Sequence, residues 1–179
     1  MNTLVVYESM YGNTHAIATA IAEGIRPSAD VRVIPVGEAT AELVDWADLV
    51  IAGGPTHARG MTSAGSRESA VADAAKPDDW NRVTLDPAAT GPGIREWLDG
   101  LPATTGKRAA AFDTRAHGPA LFTGRASNGI ARGLRAHGFR LVSEPESFVV
   151  DWRQRLLAGE EARATEWAAS LASELAPAG

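Results

Sequence analysis

The chain has 179 residues, 45% hydrophobic and 22% charged, which fits one globular domain that folds unaided and excludes a disordered segment. Lys and Arg number 17 against 22 Asp and Glu, a formal net charge of -5, and no basic run exceeds Lys107-Arg108, so nucleic acid is not an expected partner. There is no cysteine, which removes disulfides, thiolate nucleophiles, iron–sulfur clusters and cysteine-ligated zinc; redox chemistry would have to come from a bound cofactor.

Strand and helix patterns alternate along the chain. Met1-Asn2-Thr3 carries no leader-like pattern, and no apolar run approaches the roughly 20 residues that span a bilayer, so no membrane span and a cytoplasmic location are expected. Thr3 to Tyr7 is a Val-rich apolar run, as in a strand buried on both faces. From Asn13, Ile17, Ile21 and Ile25 form one i, i+4 column and Ala16, Ala20 and Gly24 the next, predicting a helix whose small flank lies close against a sheet. Pro27 ends it. Val31 to Val36 reads as a strand, Leu43, Val44 and Trp46 as a short helix, and Asp48 to Ala52 as a strand running into Gly53-Gly54-Pro55. Helices are predicted from about Ser66 to Ala75 and from Pro92, where Ile94, Trp97, Leu98 and Leu101 keep helical spacing until Pro102; Lys76 to Gly91 between them is a loop. Arg108 to Phe112 is the fourth strand. Ala126, Ile130 and Leu134 mark a helix closed by Gly138, Leu141 to Val150 the fifth strand, and Ala164, Trp167, Ala168, Leu171 and Leu175 a final helix. This alternation predicts an α/β fold, a doubly wound five-stranded parallel sheet in a single domain over 1–179.

In an open parallel sheet, ligands sit beyond the C-terminal ends of the strands. Three loops there are unusual: Glu8 to Thr14, Gly53 to Gly60 and Asp113 to Pro119. In the first, a buried strand feeds a helix whose first turn holds Gly12, Asn13 and Thr14. Unpaired N–H groups and the positive end of the helix dipole suit a phosphate there. The plainer alternative is that Asn13 or Thr14 caps the helix. Trp46, Trp97 and Trp167 belong to the core, while Trp80 anchors the long loop or covers a ligand. His15 and His137 are expected in solvent, and with His57 and His117 they show no metal-ligand spacing, so no metal site is expected. Gly100 to Arg108 fails as a phosphate loop, because its glycines stand one residue too far apart and a strand follows. Gly53 stands where a phosphoacceptor receiver domain needs Asp, and a low-molecular-weight tyrosine phosphatase would need a cysteine.

Ser9-Met10-Tyr11-Gly12-Asn13-Thr14 resembles the S/T-x-T-G-N-T loop of the flavodoxin family, Gly53-Gly54-Pro55-Thr56 its Gly-x-Pro-Thr turn, and Ile94 to Leu98 the helix before its fourth strand. The resemblance covers essentially the whole chain and is to the short-chain type. It implies a three-layer α/β/α fold with strand order 2-1-3-4-5 and one flavin mononucleotide (FMN). By resemblance, Ser9, Gly12, Asn13 and Thr14 hold the phosphate, with Met10 and Tyr11 completing the loop. Pro55, Thr56 and His57 border the ribityl chain and one ring face, Asp113, Thr114 and Arg115 the pyrimidine edge, and His117 or Phe122 the other face. Tyr11 departs from the family Thr, and His57 stands where Trp is common. An inward Arg115 would favour the anionic reduced flavin; otherwise it pairs with Asp113 or enters solvent. Gly60 reads as a turn residue ahead of a site of peptide rearrangement, and Asp113 at its strand end as a loop anchor ahead of an acid.

The resemblance implies a monomeric, low-potential electron carrier between a flavin- or NAD(P)H-dependent reductase and redox acceptor proteins, with no catalytic residue of its own. The alternative is an FMN-dependent NAD(P)H:quinone oxidoreductase, usually oligomeric, whose first loop also can read Ser-Met-Tyr-Gly; a flavin-free interaction domain comes third. With arginines around the cleft, docking to a basic reductase face is expected to be weak and only mildly salt-sensitive.

Overall fold

A computed structural model describes residues 1–75 and 83–175, so Trp80 and part of the 76–91 loop lie outside the described residues. In chain order the elements are β1 (Asn2–Tyr7), α1 (Asn13–Ile25), β2 (Asp30–Pro35), α2 (Ala41–Trp46), β3 (Leu49–His57), β4 (Gly60–Met61), α3 (Ala64–Ala74), α4 (Ile94–Asp99), β5 (Arg108–Ala116), α5 (Ala120–Thr123), α6 (Ala126–Ala136), β6 (Arg140–Leu141), β7 (Glu146–Val150) and α7 (Glu160–Leu175). β1 pairs in parallel with β2 and β3, β3 with β5, and β5 with both β6 and β7. This is the expected order 2-1-3-4-5, its fifth position shared by two short strands.

Alternation along the strands sends side chains to two cores. Leu4, Val6, Val50, Ala52, Ala109 and Ala111 pack with Ile94, Leu98, Ile130 and Leu134 on one face. Val5, Tyr7, Leu49, Ile51, Ala110 and Phe112 pack with Ile17, Ile21, Ile25, Ala164, Ala168 and Leu171 on the other. Trp46, Trp97 and Trp167 are partly buried against these cores. Gly138, at φ 84, ends α6: its N–H donates to Arg135 O and that of Phe139 to Leu134 O, the paired bonds of a glycine-capped helix end. The Lys107 ammonium donates to the carbonyls of Val44, Asp45 and Ala47, so this residue closes the C-terminal end of α2.

Two expectations are corrected. The small flank of α1 faces a helix, not the sheet: the Thr165 hydroxyl of α7 donates to Ala20 O at 3.1 Å, and a Cβ on Gly24 would stand 2.2 Å from Thr165 O. The fifth strand is also interrupted. Ala109 and Phe112 of β5 pair with Leu141 and Glu146, so two residues on β5 face the four of Val142 to Pro145. Two extra residues cannot stay in register, and the strand breaks around them.

Gly24→Val should therefore force α1 and α7 apart and destabilise the fold by about 3 kcal/mol, read as a lowered urea midpoint at unchanged slope.

Candidate cofactor site

The C-terminal edge of the sheet is built by strand-end side chains that bind helix starts. Glu8, just past β1, is buried; its Oε2 accepts from Ile94 N at 2.8 Å at the start of α4, and its Oε1 from the Thr62 hydroxyl. Asp113, on β5 and fully buried, accepts at Oδ2 from Ser127 N at 2.8 Å, and Thr56 Oγ1 of β3 accepts from Ala126 N at 2.9 Å. Burial pushes both carboxyls up from their ordinary range. For Glu8 the Thr62 hydroxyl and Ile94 N–H oppose the rise, and for Asp113 the Ser127 N–H does so.

α1 is different. Gly12, its N-cap, is left-handed at φ 84, no side chain caps the helix, and no acidic residue stands in its first turn. The structure thus rejects the capping alternative for Asn13 and Thr14: the Asn13 amide donates instead to Gln154 O at 2.7 Å, and the Thr14 hydroxyl lies 2.7 Å from that of Thr114. A Cβ at Gly12 would meet nothing within 4 Å, so the ground above the helix start is open. Ser9 Oγ accepts from Gly12 N at 3.1 Å and fixes the loop. Asp86 N donates to Met10 O at 2.8 Å, and the Asp86 carboxylate sits 3.1 Å from His15 Nδ1, whose ring stacks on Tyr7 at 4.5 Å. His15 is therefore engaged, not simply solvated. Burial, with Asp86 and Glu38 adding, pushes the Tyr7 hydroxyl up to about 12.

A cleft of about 460 Å³ opens over this helix start. Nine of the anticipated residues line it: Met10, Tyr11, Asn13, Thr14, Pro55, Thr56, His57, Thr114 and Arg115. Four do not. Ser9 is buried beneath the loop, Gly12 borders the neighbouring groove of α1 and α7, Asp113 is committed to α6, and His117 is exposed with its N–H donating to Val150 O. Phe122, 66% exposed, is not among the lining residues either. Arg115 takes neither anticipated position: it lines the cleft, but its Nη1 donates to the carbonyls of Ala116 and Gly118 and to the Thr123 hydroxyl. The Tyr11 hydroxyl donates to Ala70 O at 3.3 Å and ties the loop to α3.

The remaining wall was missed in the sequence. Thr62, Ser66 and Ser69 line the cleft at i, i+4, i+7, a hydroxyl stripe whose spacing was there to be found, with Ala70 and Asp73 beside it. Val150 and Gln154 come from the end of β7 and the loop after it, another strand end facing the same edge. Ala58 and Arg59 have φ 45 and 73 in the two-residue turn joining β3 to β4. Positive φ at both positions makes a primed hairpin turn, which Asn and Gly adopt far more readily. Gly60, beyond it, lies outside that strained region.

The open N–H groups at the start of α1 and the small hydroxyls of Thr14, Thr56 and Thr114 fit a phosphate-bearing ligand. Residues 4–65 match the flavodoxin domain model. Over that third of its length the chain resembles the flavodoxin family. A curated flavodoxin from Aquifex aeolicus (strain VF5) is 45% identical over 56 residues, an alignment covering 30% of this chain and 30% of that protein. Crystal structures of oxidised flavodoxin 1 and flavodoxin 2 from Bacillus cereus superpose over 98% of this chain and all of theirs, with TM-scores of 0.65 and 0.66 at 19% and 20% identity. Flavodoxins bind flavin, typically FMN. The cleft lies where this fold places it, at the switch point between β1 and β3.

Two outcomes follow from this geometry. Ala58→Asn should stabilise the protein by about 1 kcal/mol, measured as a raised thermal midpoint, because Asn tolerates positive φ. The second concerns Asp113, whose folded pKa lies above its unfolded value. Its ionisation therefore lowers stability as pH rises through the folded pKa, and that loss is absent below the unfolded pKa. Asp113→Asn, which keeps an acceptor for Ser127 N–H, should show its largest stability gain over the parent near neutral pH. Urea titrations from about pH 4 to pH 8 should show that difference shrinking toward the acid end.

Proposed function

We propose that the chain binds one FMN non-covalently in the cleft and works in the cytoplasm as a monomeric low-potential electron carrier, loaded by a reductase and unloaded by a redox acceptor protein. The observation that carries this reading is the uncapped start of α1, open to a cleft walled by Pro55, Thr56, His57 and Thr114. Among the described residues, no helix is long and apolar enough to cross a membrane and no cluster of ligating side chains could hold a metal ion.

Bound FMN would supply the one- and two-electron chemistry that a chain without cysteine lacks. The protein's part is to bind and to tune. First-turn N–H groups of Asn13, Thr14 and His15 would donate to the phosphate. When one of the paired Thr14 and Thr114 hydroxyls donates to the other, the acceptor's own O–H stays available for a ligand oxygen. Pro55, Thr56 and His57 would border the ribityl chain and one ring face. Arg115 keeps a positive charge on the cleft wall while its Nη1 is tied to its own loop. A cation there favours the more negatively charged state of a neighbouring group, which suits two-electron chemistry as well. That observation supports the second reading, an NAD(P)H:quinone oxidoreductase.

Fluorescence titration of the apoprotein should give one FMN per chain, bound at least about tenfold more tightly than riboflavin, since only FMN brings a phosphate to α1. Thr14→Val should cost about tenfold in FMN affinity and leave riboflavin nearly unchanged. Reduction in two separate one-electron steps during an anaerobic titration would support the carrier; a single two-electron step with rapid quinone turnover by NADH would favour the reductase. A chain that fails to bind any flavin would sink both.

A further inference from the structure

Residues 57–61, 113–125 and 151–157 flank the cleft beyond the wall built by Thr62 and α3, and His57, Thr114, Arg115, Ala116 and Gln154 of these segments line it. Arg59 forms a bridge with Gly124, Arg115 donates to the Thr123 hydroxyl at 2.9 Å, His117 N donates to Val150 O at 2.9 Å, and the Asn13 amide reaches Gln154 O. They form one continuous rim. The large hydrophobic side chains left exposed among the described residues all lie on it: Leu121 at 81%, Phe122 and Trp152 at 66%, and Leu157 at 37%.

Charge is concentrated here too. Of the 17 basic residues, Arg59, Arg115, Arg125, Arg153 and Arg155 fall in these segments, against only Asp113 and Asp151 of the 22 acidic ones. Asp113 is buried on the Ser127 N–H, and Asp151 is bonded to Arg155. The Arg153 guanidinium lies 4.5 Å over the Trp152 ring. The rim thus carries three excess positive charges on a chain whose total is -5.

We propose that this rim is a docking surface for a partner redox protein that presents carboxylates around an apolar centre. Exposed aromatic and aliphatic groups ringed by arginines match the make-up of protein interfaces, where Trp and Arg anchor binding. A dissolved nucleotide would account for the arginines and not for Leu121, Phe122 and Leu157. The acidic remainder of the chain repels the same partner and turns it toward the cleft mouth, so the charge asymmetry sets orientation as well as attraction. The redox character of the partner rests on the FMN carrier reading; its acidic face rests on the rim alone.

The test is an amide chemical-shift titration of the ¹⁵N-labelled full chain with the haem domain of cytochrome b5 as an acidic probe and cytochrome c as a basic one. The acidic probe should shift amides of residues 120–125 and 151–155 and bind at least about tenfold more tightly at about 20 mM salt than at about 200 mM. Arg125→Glu with Arg153→Glu should lower that affinity at least about tenfold at low salt. Phe122→Ser with Trp152→Ser should weaken it at both salt concentrations and leave the salt dependence in place. Stronger shifts of these amides by the basic probe, binding of the acidic probe elsewhere, or an unchanged affinity in the charge-reversed protein would overturn the proposal. The map is read with and without added FMN: absent flavin binding in the parallel fluorescence titration would end the carrier reading, while the shifts still decide the surface.

Discussion

A helix that starts inside a protein must find acceptors for its first N–H groups, and the upper edge of this sheet is organised by that demand. Glu8 answers it for α4, Thr56 and Asp113 answer it for α6, and Ser63 answers it for α3. Each of the first three reaches across from the end of a central strand, so the bond that completes a helix also fixes that helix to the sheet. α6 has neither a cap of its own nor a first-turn acid and relies on Thr56 and Asp113, α7 begins with Glu160 and Glu161, and α1 has no own cap, no first-turn acid and no such acceptor from the sheet among the described residues.

Burying two carboxyls costs solvation, and both are held above their usual range by it. The return is positional. Glu8 connects β1, the loop bearing Thr62 and the start of α4, so the first and third strand ends cannot shift independently. Asp113 and Thr56 do the same for β5, β3 and α6. Onto this frame hang segments with fewer buried contacts: the turn at Ala58 and Arg59, the short α5 without a buried residue, and the loop around Gln154, also at positive φ. A rigid base with adaptable lips is a common division of labour in ligand clefts.

Periodicity reports which face of an element is apolar and not what will cover it, and the errors fall along that line. The strands and the Ile17, Ile21, Ile25 column were legible because local pattern decides them. The Ala20 and Gly24 flank was legible as small, yet its partner, Thr165 of α7, lies far along the chain. Nine lining residues could be read from strand-end loops; Asp113, placed with them by resemblance, proves to be the anchor that its strand-end position also suggested, and its partner, the start of α6, is what no local pattern names. Ala58 and Arg59 carry no sign of positive φ, while Gly60, which does read as a turn residue, closes that turn opposite His57 without adopting it. Gln154 reaches the cleft through its pairing with the first loop, which no local pattern announces.

The interruption between β6 and β7 sits on the outermost strand of the sheet. An edge strand ordinarily displays an unbroken row of peptide groups that can pair with another molecule. Here that row is cut to Arg140–Leu141 and Glu146–Val150, with Pro145, which has no N–H, ahead of the second piece. The opposite edge, β2, carries Arg32 and closes with Pro35. The broken border offers no long template, and the six-residue β2 border is blunted by a charge and a terminal proline, two devices by which a backbone resists joining edge to edge with another copy.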